Sequence, residues 1–363
     1  FSWLAMKGLS RENLRGVTAK DEMSAMSGKS GKGGNGAPSA KEVRSGDRRA
    51  LARAITLTES QRADHNAEAQ QLLESLLPDT GEAVRIGVSG SPGVGKSTFI
   101  EAFGLYLAQQ GKHLAVLAVD PSSALSGGSI LGDKTRMERL ARLREVFIRP
   151  SPAAGALGGV AHRTREVMLL CEAAGFDVIL IETVGVGQSE IAVADLVDVF
   201  ALLVQPGGGD DLQGIKRGVM ELADLIVVTK ADGDLTELAR HTAADYRSAL
   251  QLIRGRDDGP RPQVLSCSAV EERGMAEIWQ VIETYHSELA EAGDLARKRA
   301  AQARSWLWRA VEDNVMSALK SEPAMAALLE RLEADAAEGR KTPAAAASEI
   351  LAAFRGAPEA GGE

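Results

Sequence analysis

Residues 90–97 read Gly90-Ser91-Pro92-Gly93-Val94-Gly95-Lys96-Ser97, with Thr98 next. The spacing is G-x-x-x-x-G-K-S, which suits phosphate chemistry. Glycines let successive backbone N–H groups turn inward around an anion, and a helix N-terminus behind them adds positive potential. Lys96 is expected to reach the β- and γ-phosphates of a nucleoside triphosphate, and Ser97 to ligate Mg²⁺. The plain alternative is a Gly-rich turn with no ligand. It is disfavoured because the segment follows an apolar run, Val84–Val88, and opens a helical stretch from Thr98 to Gln109.

Three further patterns sit where apolar runs end. Glu182 closes Val178-Ile179-Leu180-Ile181, and Glu182-Thr183-Val184-Gly185 has the spacing D-x-x-G with Glu for Asp. A carboxylate at a strand tip suits a metal-linked role, and the Gly185 N–H is placed to sense a γ-phosphate. Thr229-Lys230-Ala231-Asp232 is similar to the guanine-reading pattern N-K-x-D. Asp232 is expected to accept hydrogen bonds from the ring N–H and exocyclic amine of guanine, with the Lys230 stem over the base. Thr229 replaces Asn, which leaves one orienting hydrogen bond open. Ser266-Cys267-Ser268-Ala269 adds a second base-contacting loop through Ser268 and Ala269. Each match alone is weak and has a strand-end turn as its ordinary explanation. Four in order, each at a strand end, form one nucleotide site.

Such residues meet only if the strands that carry them end side by side. Short apolar runs recur at Val84–Val88, Leu114–Val119, Val146–Ile148, Val178–Ile181, Val199–Val204, Leu225–Val228 and Val264–Leu265. Helix-length segments separate them, so the predicted fold is α/β, a mostly parallel sheet with helices on both faces. Helical spacing of Leu51, Ala54 and Ile55, then of Leu72, Leu73, Leu76 and Leu77, predicts two helices ahead of the sheet. Beyond residue 275 the sequence is Ala-rich and helical, with Leu307, Val311, Met316 and Leu319 as one apolar stripe and a helix start at Thr342-Pro343. A helix bearing Trp306 and Trp308 fits either a cap on the core or a dimerisation arm. Four parts result: a flexible or artificially added tail (1–45), an N-terminal helical extension (46–80), a nucleotide domain (81–275) and a C-terminal helical region (276–363).

Composition excludes several classes. The chain has 363 residues, 44% hydrophobic and 25% charged, as ordinary globular proteins do. A net charge of −8 argues against a nucleic-acid partner. No apolar run reaches the ~18 residues of a membrane helix. Two distant cysteines, Cys171 and Cys267, form no disulfide framework and suit a reducing compartment, so a cytoplasmic location is expected.

The segments Gly90–Thr98, Val119–Ser123, Gly128–Met137 and Ile181–Glu190 carry a specific resemblance. They resemble the MeaB/ArgK/MMAA family of P-loop GTPases, its bacterial MeaB branch most of all, over roughly residues 45–320. The resemblance implies a GTPase G domain that binds GTP/GDP and Mg²⁺. It implies a homodimeric chaperone that gates adenosylcobalamin loading of methylmalonyl-CoA mutase and protects that enzyme. It assigns the acidic roles around Mg²⁺ to Asp120, Asp133 and Glu182, with Lys96 and Ser97. It also makes Gln205–Lys216, with Asp210, Gln213 and Lys216, an extra switch that reports nucleotide state to the partner. Asp120 ends the run Leu114–Val119, so the strand pattern also puts it near Glu182. Val186 follows Gly185 where many GTPases keep a water-orienting glutamine, so intrinsic hydrolysis is expected to be slow.

Two other functions share this loop. A P-loop kinase of the amino-acid-transport type would prefer ATP, against which Asp232 argues. A GTP-dependent metallochaperone would need clustered ligands, whereas His65, His113, His162, His241 and His286 are scattered.

Overall fold

Seven strands build the centre of the protein: β1 (Val84–Gly90), β2 (Leu114–Asp120), β3 (Val146–Pro152), β4 (Val178–Thr183), β5 (Val199–Val204), β6 (Leu225–Val228) and β7 (Gln263–Ser266). In the computed structural model, residues 37–60, 62–120, 137–152, 157–183, 188–207, 217–253 and 262–356 are described. The strands pair in the order β3-β2-β4-β1-β5-β6-β7, every pair parallel. All seven carboxyl ends therefore lie along one edge. The runs are apolar throughout because both faces are covered. Ile86, Val88, Leu180 and Val116 point to one side, and Ile179, Ile181, Ala115 and Leu117 to the other.

The helices are α1 (Ala40–Arg44), α2 (Arg48–Thr58), α3 (Ala63–Leu76), α4 (Lys96–Gln109), α5 (Glu138–Ala141), α6 (Leu157–Ala173) and α7 (Gln188–Ala194). There follow α8 (Arg217–Leu222), α9 (Thr236–Ile253), α10 (Met275–Glu291), α11 (Asp294–Ser321), α12 (Pro323–Ala337) and α13 (Pro343–Gly356). Helices α4, α5 and α10 cover one face through Phe99, Phe103, Leu140 and Trp279. Helices α2, α3, α6, α7, α8 and α9 cover the other through Leu51, Leu73, Val167, Val193, Met220 and Tyr246.

The N-terminal helices begin earlier than composition suggests. Ser39 and Glu42 form a reciprocal capping box, and Val43 is fully buried, so α1 lies within the stretch read as tail. The Gly/Ser-rich sequence before it hid that cap. Among the described residues α1 thus precedes the two helices that the spacing predicts, α2 and α3. Asp47 caps α2 by accepting from Ala50 N at 2.7 Å.

Helix α11 runs 28 residues, about 42 Å. Its first half is tied to the amino-end side of the sheet. Arg299 donates to both oxygens of fully buried Asp198 (2.9 and 2.7 Å) and to Ala83 O (2.8 Å). Gln302 donates to Val197 O at 2.9 Å. The two tryptophans divide: Trp306 packs inward beneath the Arg165 guanidinium, 4.9 Å from its ring centre, while Trp308 is 66% exposed. The predicted stripe divides too, with Leu319 buried and Leu307, Val311 and Met316 exposed. Thr342 caps α13, its hydroxyl accepting from Ala345 N at 3.3 Å.

Candidate functional site

Three of the four patterns sit whole on the carboxyl edge of the sheet, because each follows a parallel strand; of the fourth, Glu182-Thr183 is there. β1 runs into residues 90–97, and α4 starts at Lys96 with Gly95 before it in the left-handed region at φ +100°. A side chain at that φ would be strained, so Gly95 is what lets the strand turn straight into the helix. No side chain caps α4, which leaves its first N–H groups for an anion. Lys96 folds back, its Nζ donating to Gly90 O (2.7 Å) and Ser91 O (3.2 Å). Burial holds its ammonium below the usual lysine range, while Glu182 and Glu190 oppose that shift. A bound polyphosphate would push the same group up again.

Glu182 lies between Val88 of β1 and Ala118 of β2 in register. Ser97 Oγ donates to Glu182 Oε1 at 3.2 Å. A hydroxyl and a carboxylate thus meet at the foot of the phosphate loop. Thr183 Oγ1 donates to Ser89 Oγ (2.8 Å), both fully buried, and fixes the two strand ends together. Asp120 closes β2 two residues beyond the partner of Glu182, on the same edge. Asp133, Gly185, Asp210, Gln213 and Lys216 lie outside the described residues.

The base end is joined to the phosphate end by two side chains. Thr229 Oγ1, 3% exposed, donates to Val94 O at 2.7 Å, and Lys230 Nζ donates to Gly93 O at 2.7 Å. The hydroxyl thus supplies a tie to the phosphate loop from the position where Asn is usual. Lys230 adopts φ +54°, a strained setting for a non-glycine residue, and its stem walls the pocket. Ser268 Oγ donates to Asp232 Oδ2 (2.5 Å) and accepts from Glu271 N (3.1 Å). Ala231 N donates to Cys267 O, and Arg273 Nη2 to Ala231 O, so the two loops are held as one body. Between them and the phosphate loop is a cavity of about 290 Å³ lined by Phe99, Thr229, Lys230, Asp232, Leu235 and Ala269, among others. It has an apolar slot, a carboxylate at one wall and a phosphate loop at its mouth.

Sequence patterns missed two contributors. Leu235 lines the cavity from the short helix after Asp232. Glu190, in α7, is a buried carboxylate whose charge is felt at Lys96. Its signal was an acidic residue in the first turn of the helix that follows β4.

Both cysteines are free thiols buried in the core. Burial pushes the Cys171 thiol far up, and burial with the neighbouring Asp232 charge pushes Cys267 up to about 12. Among the described residues no group of three or more His, Cys, Asp or Glu side chains could hold a metal ion. Nor is any helix among them long and apolar enough to cross a membrane.

A family model described as methylmalonyl Co-A mutase-associated GTPase MeaB matches residues 51–324. The chain belongs to the MeaB family of GTPases. A probable GTPase of Mycobacterium tuberculosis is 55% identical over 312 residues, 86% of this chain and 93% of the relative. The GTPase ArgK of Escherichia coli is 52% identical over 286 residues, 78% and 86% of the two chains. The mouse mitochondrial methylmalonic aciduria type A homolog is 48% identical over 320 residues, 85% and 77%. A solved structure titled LAO/AO transport system kinase superposes with a TM-score of 0.69 at 39% identity, covering 87% of this chain and 96% of its own. Membership makes this MeaB-family chain a guanine-nucleotide-binding P-loop GTPase, of a family associated with methylmalonyl-CoA mutase.

Proposed function

We propose that the chain is a GTP-hydrolysing chaperone that gates adenosylcobalamin loading of methylmalonyl-CoA mutase and protects that enzyme. The observation that carries this reading is the extent of the family match, from Leu51 in α2 to the start of α12. It covers the helical flanks as well as the nucleotide sheet, and the family is described by its association with the mutase.

In this reading Gly90–Thr98 wrap the phosphates, Lys96 neutralises the β- and γ-groups, and the Gly185 amide senses the γ-phosphate. Thr229, Lys230, Asp232, Ser268 and Ala269 hold guanine. Ser97 and Glu182 fit Mg²⁺, since two hard oxygen donors lie 3.2 Å apart at the loop, and Asp120 and Asp133 complete the acidic set. The ion supplies positive charge to the transferring phosphoryl group. The 205–216 loop, through Asp210, Gln213 and Lys216, reports nucleotide state to the mutase. The protein works as a homodimer in the cytoplasm, its partner contacts made through the C-terminal helical region (276–363). The sheet domain (81–275) turns over GTP, and helices of the 46–80 extension brace it.

Co-purification with candidate cobalamin-dependent mutases, in GDP and in a non-hydrolysable GTP analogue, tests the reading. Nucleotide-dependent capture of methylmalonyl-CoA mutase is expected; capture of no such mutase removes the chaperone role and leaves the GTPase intact. Hydrolysis should be slow alone and faster with mutase, so equal single-turnover rates would also count against it. A kinase reading is favoured only by the name of one similar structure. Competition between GTP and ATP separates it, because a kinase should prefer ATP.

A further inference from the structure

We propose that Glu190 is a further catalytic residue of this GTPase, the carboxylate that orients the water attacking the γ-phosphate. The proposal rests on GTP hydrolysis, not on the mutase reading.

Four observations carry it. Glu190 is 7% exposed, and its Oε2 has no hydrogen-bond partner among the described residues. A carboxylate oxygen withdrawn from water without a partner is costly, and a ligand or water that supplies the partner relieves that cost. Second, α7 packs beside the strand that feeds the phosphate loop. That helix lies hard against β1, where a Cβ on Gly87 would meet Val193 at 3.0 Å, and β1 is the strand that becomes the phosphate loop. Third, Glu190 acts electrostatically on Lys96, as Glu182 does. Glu182 already has a local role, since it accepts from Ser97, whereas Glu190 keeps an oxygen to spare. Fourth, Val186 at the usual position for a water-orienting side chain is a hydrocarbon and cannot hold water. A carboxylate four residues on supplies the missing acceptor.

The water oxygen forms a bond to the γ-phosphorus. The bond from that phosphorus to the β–γ bridging oxygen breaks, and its electron pair leaves on the β-phosphate of GDP. The proton released from water passes to the Glu190 carboxylate and from there to the inorganic phosphate.

The test uses the full chain with Mg²⁺ and compares wild type with Glu190→Gln, which keeps the shape and removes the acceptor charge. GDP affinity is expected to stay within about threefold, while single-turnover hydrolysis falls at least about tenfold, toward the 10²–10⁴ typical of a lost general base. A smaller fall overturns the proposal. So does joint loss of GDP affinity, which would make Glu190 a structural group. A wild-type chain that hydrolyses no GTP would remove the GTPase activity itself, a separate failure. A second measurement does not depend on the variant folding. In a crystal structure of wild type with GDP, Mg²⁺ and aluminium fluoride, a Glu190 oxygen should lie within about 3.2 Å of the apical water. Any longer separation overturns the assignment.

Discussion

Asp232 has one oxygen engaged by Ser268 and lines a cavity that Phe99, Leu235 and Ala269 make partly apolar. In that setting the charge-assisted hydrogen bonds to guanine proposed for it would be worth about 1.5–3 kcal/mol each. Asp232→Asn should therefore weaken GDP binding by roughly 10- to 100-fold, read by titration calorimetry. Unchanged affinity would remove the base-reading role. Thr229→Val should weaken GDP binding about fivefold, because one neutral hydrogen bond, that to Val94 O, is worth about 1 kcal/mol. The place of Asp232 just beyond β6 was legible from spacing alone. The role of Thr229 was not, since a hydroxyl reaches Val94 only once β6 is laid against β5 and β5 against β1.

Helix α11 carries an element-scale conflict. Its first half is locked to the sheet, yet Leu307, Trp308, Val311, Val315 and Met316 face outward at helical spacing. A row of large apolar side chains in water is a liability that a second chain would cover. With the proposed homodimer, Val311→Glu should convert a two-chain mass to one chain in light scattering while leaving GDP affinity within about twofold, since the substitution is exposed on α11. A wild type that is already monomeric would remove the dimer. Periodicity identified the stripe, but not which of its residues face out. Leu319 is buried while Val311 is not, a difference that spacing along α11 does not contain.

At the scale of the molecule, a buried ionic network joins the sheet, α6 and α11. Arg85 pairs with Glu172, their side chains 6% and 1% exposed, and Asp198 receives Arg299 and the Arg85 N–H. Removing one member strands a charge, at a cost of about 3–5 kcal/mol. Glu172→Ala should lower the urea midpoint accordingly, and no shift would mean that water reaches Arg85. His286 faces the same cluster, 3.7 Å from Asp198. Burial holds its imidazole below the ordinary value of 6.5, with Arg299 adding to the depression and Asp198 opposing it. The unfolded chain therefore takes up the proton first as pH falls. The contribution is fully present above about pH 6.5 and is lost as pH drops from there toward the depressed folded value. The melting temperature should fall more between pH 7.5 and 5.5 in wild type than in His286→Asn. Equal falls would assign the pH dependence to other groups.

The sequence by itself determined the sheet, the phosphate loop and the place of Thr229–Asp232 directly after β6. Those features follow from local rules: continuous apolar runs demand a sheet buried on both faces, glycines before Lys96 demand a tight turn into a helix, and strand ends carry the acids. Only the tertiary structure decided the rest. Glu190 became a buried carboxylate because α7 lies against β1 at Gly87. Trp306 turned inward and Trp308 outward because α11 is pinned by Arg299 and Gln302. Burial of a polar group and the exposure of an apolar one depend on what faces them across the chain, and spacing along one element does not contain that partner.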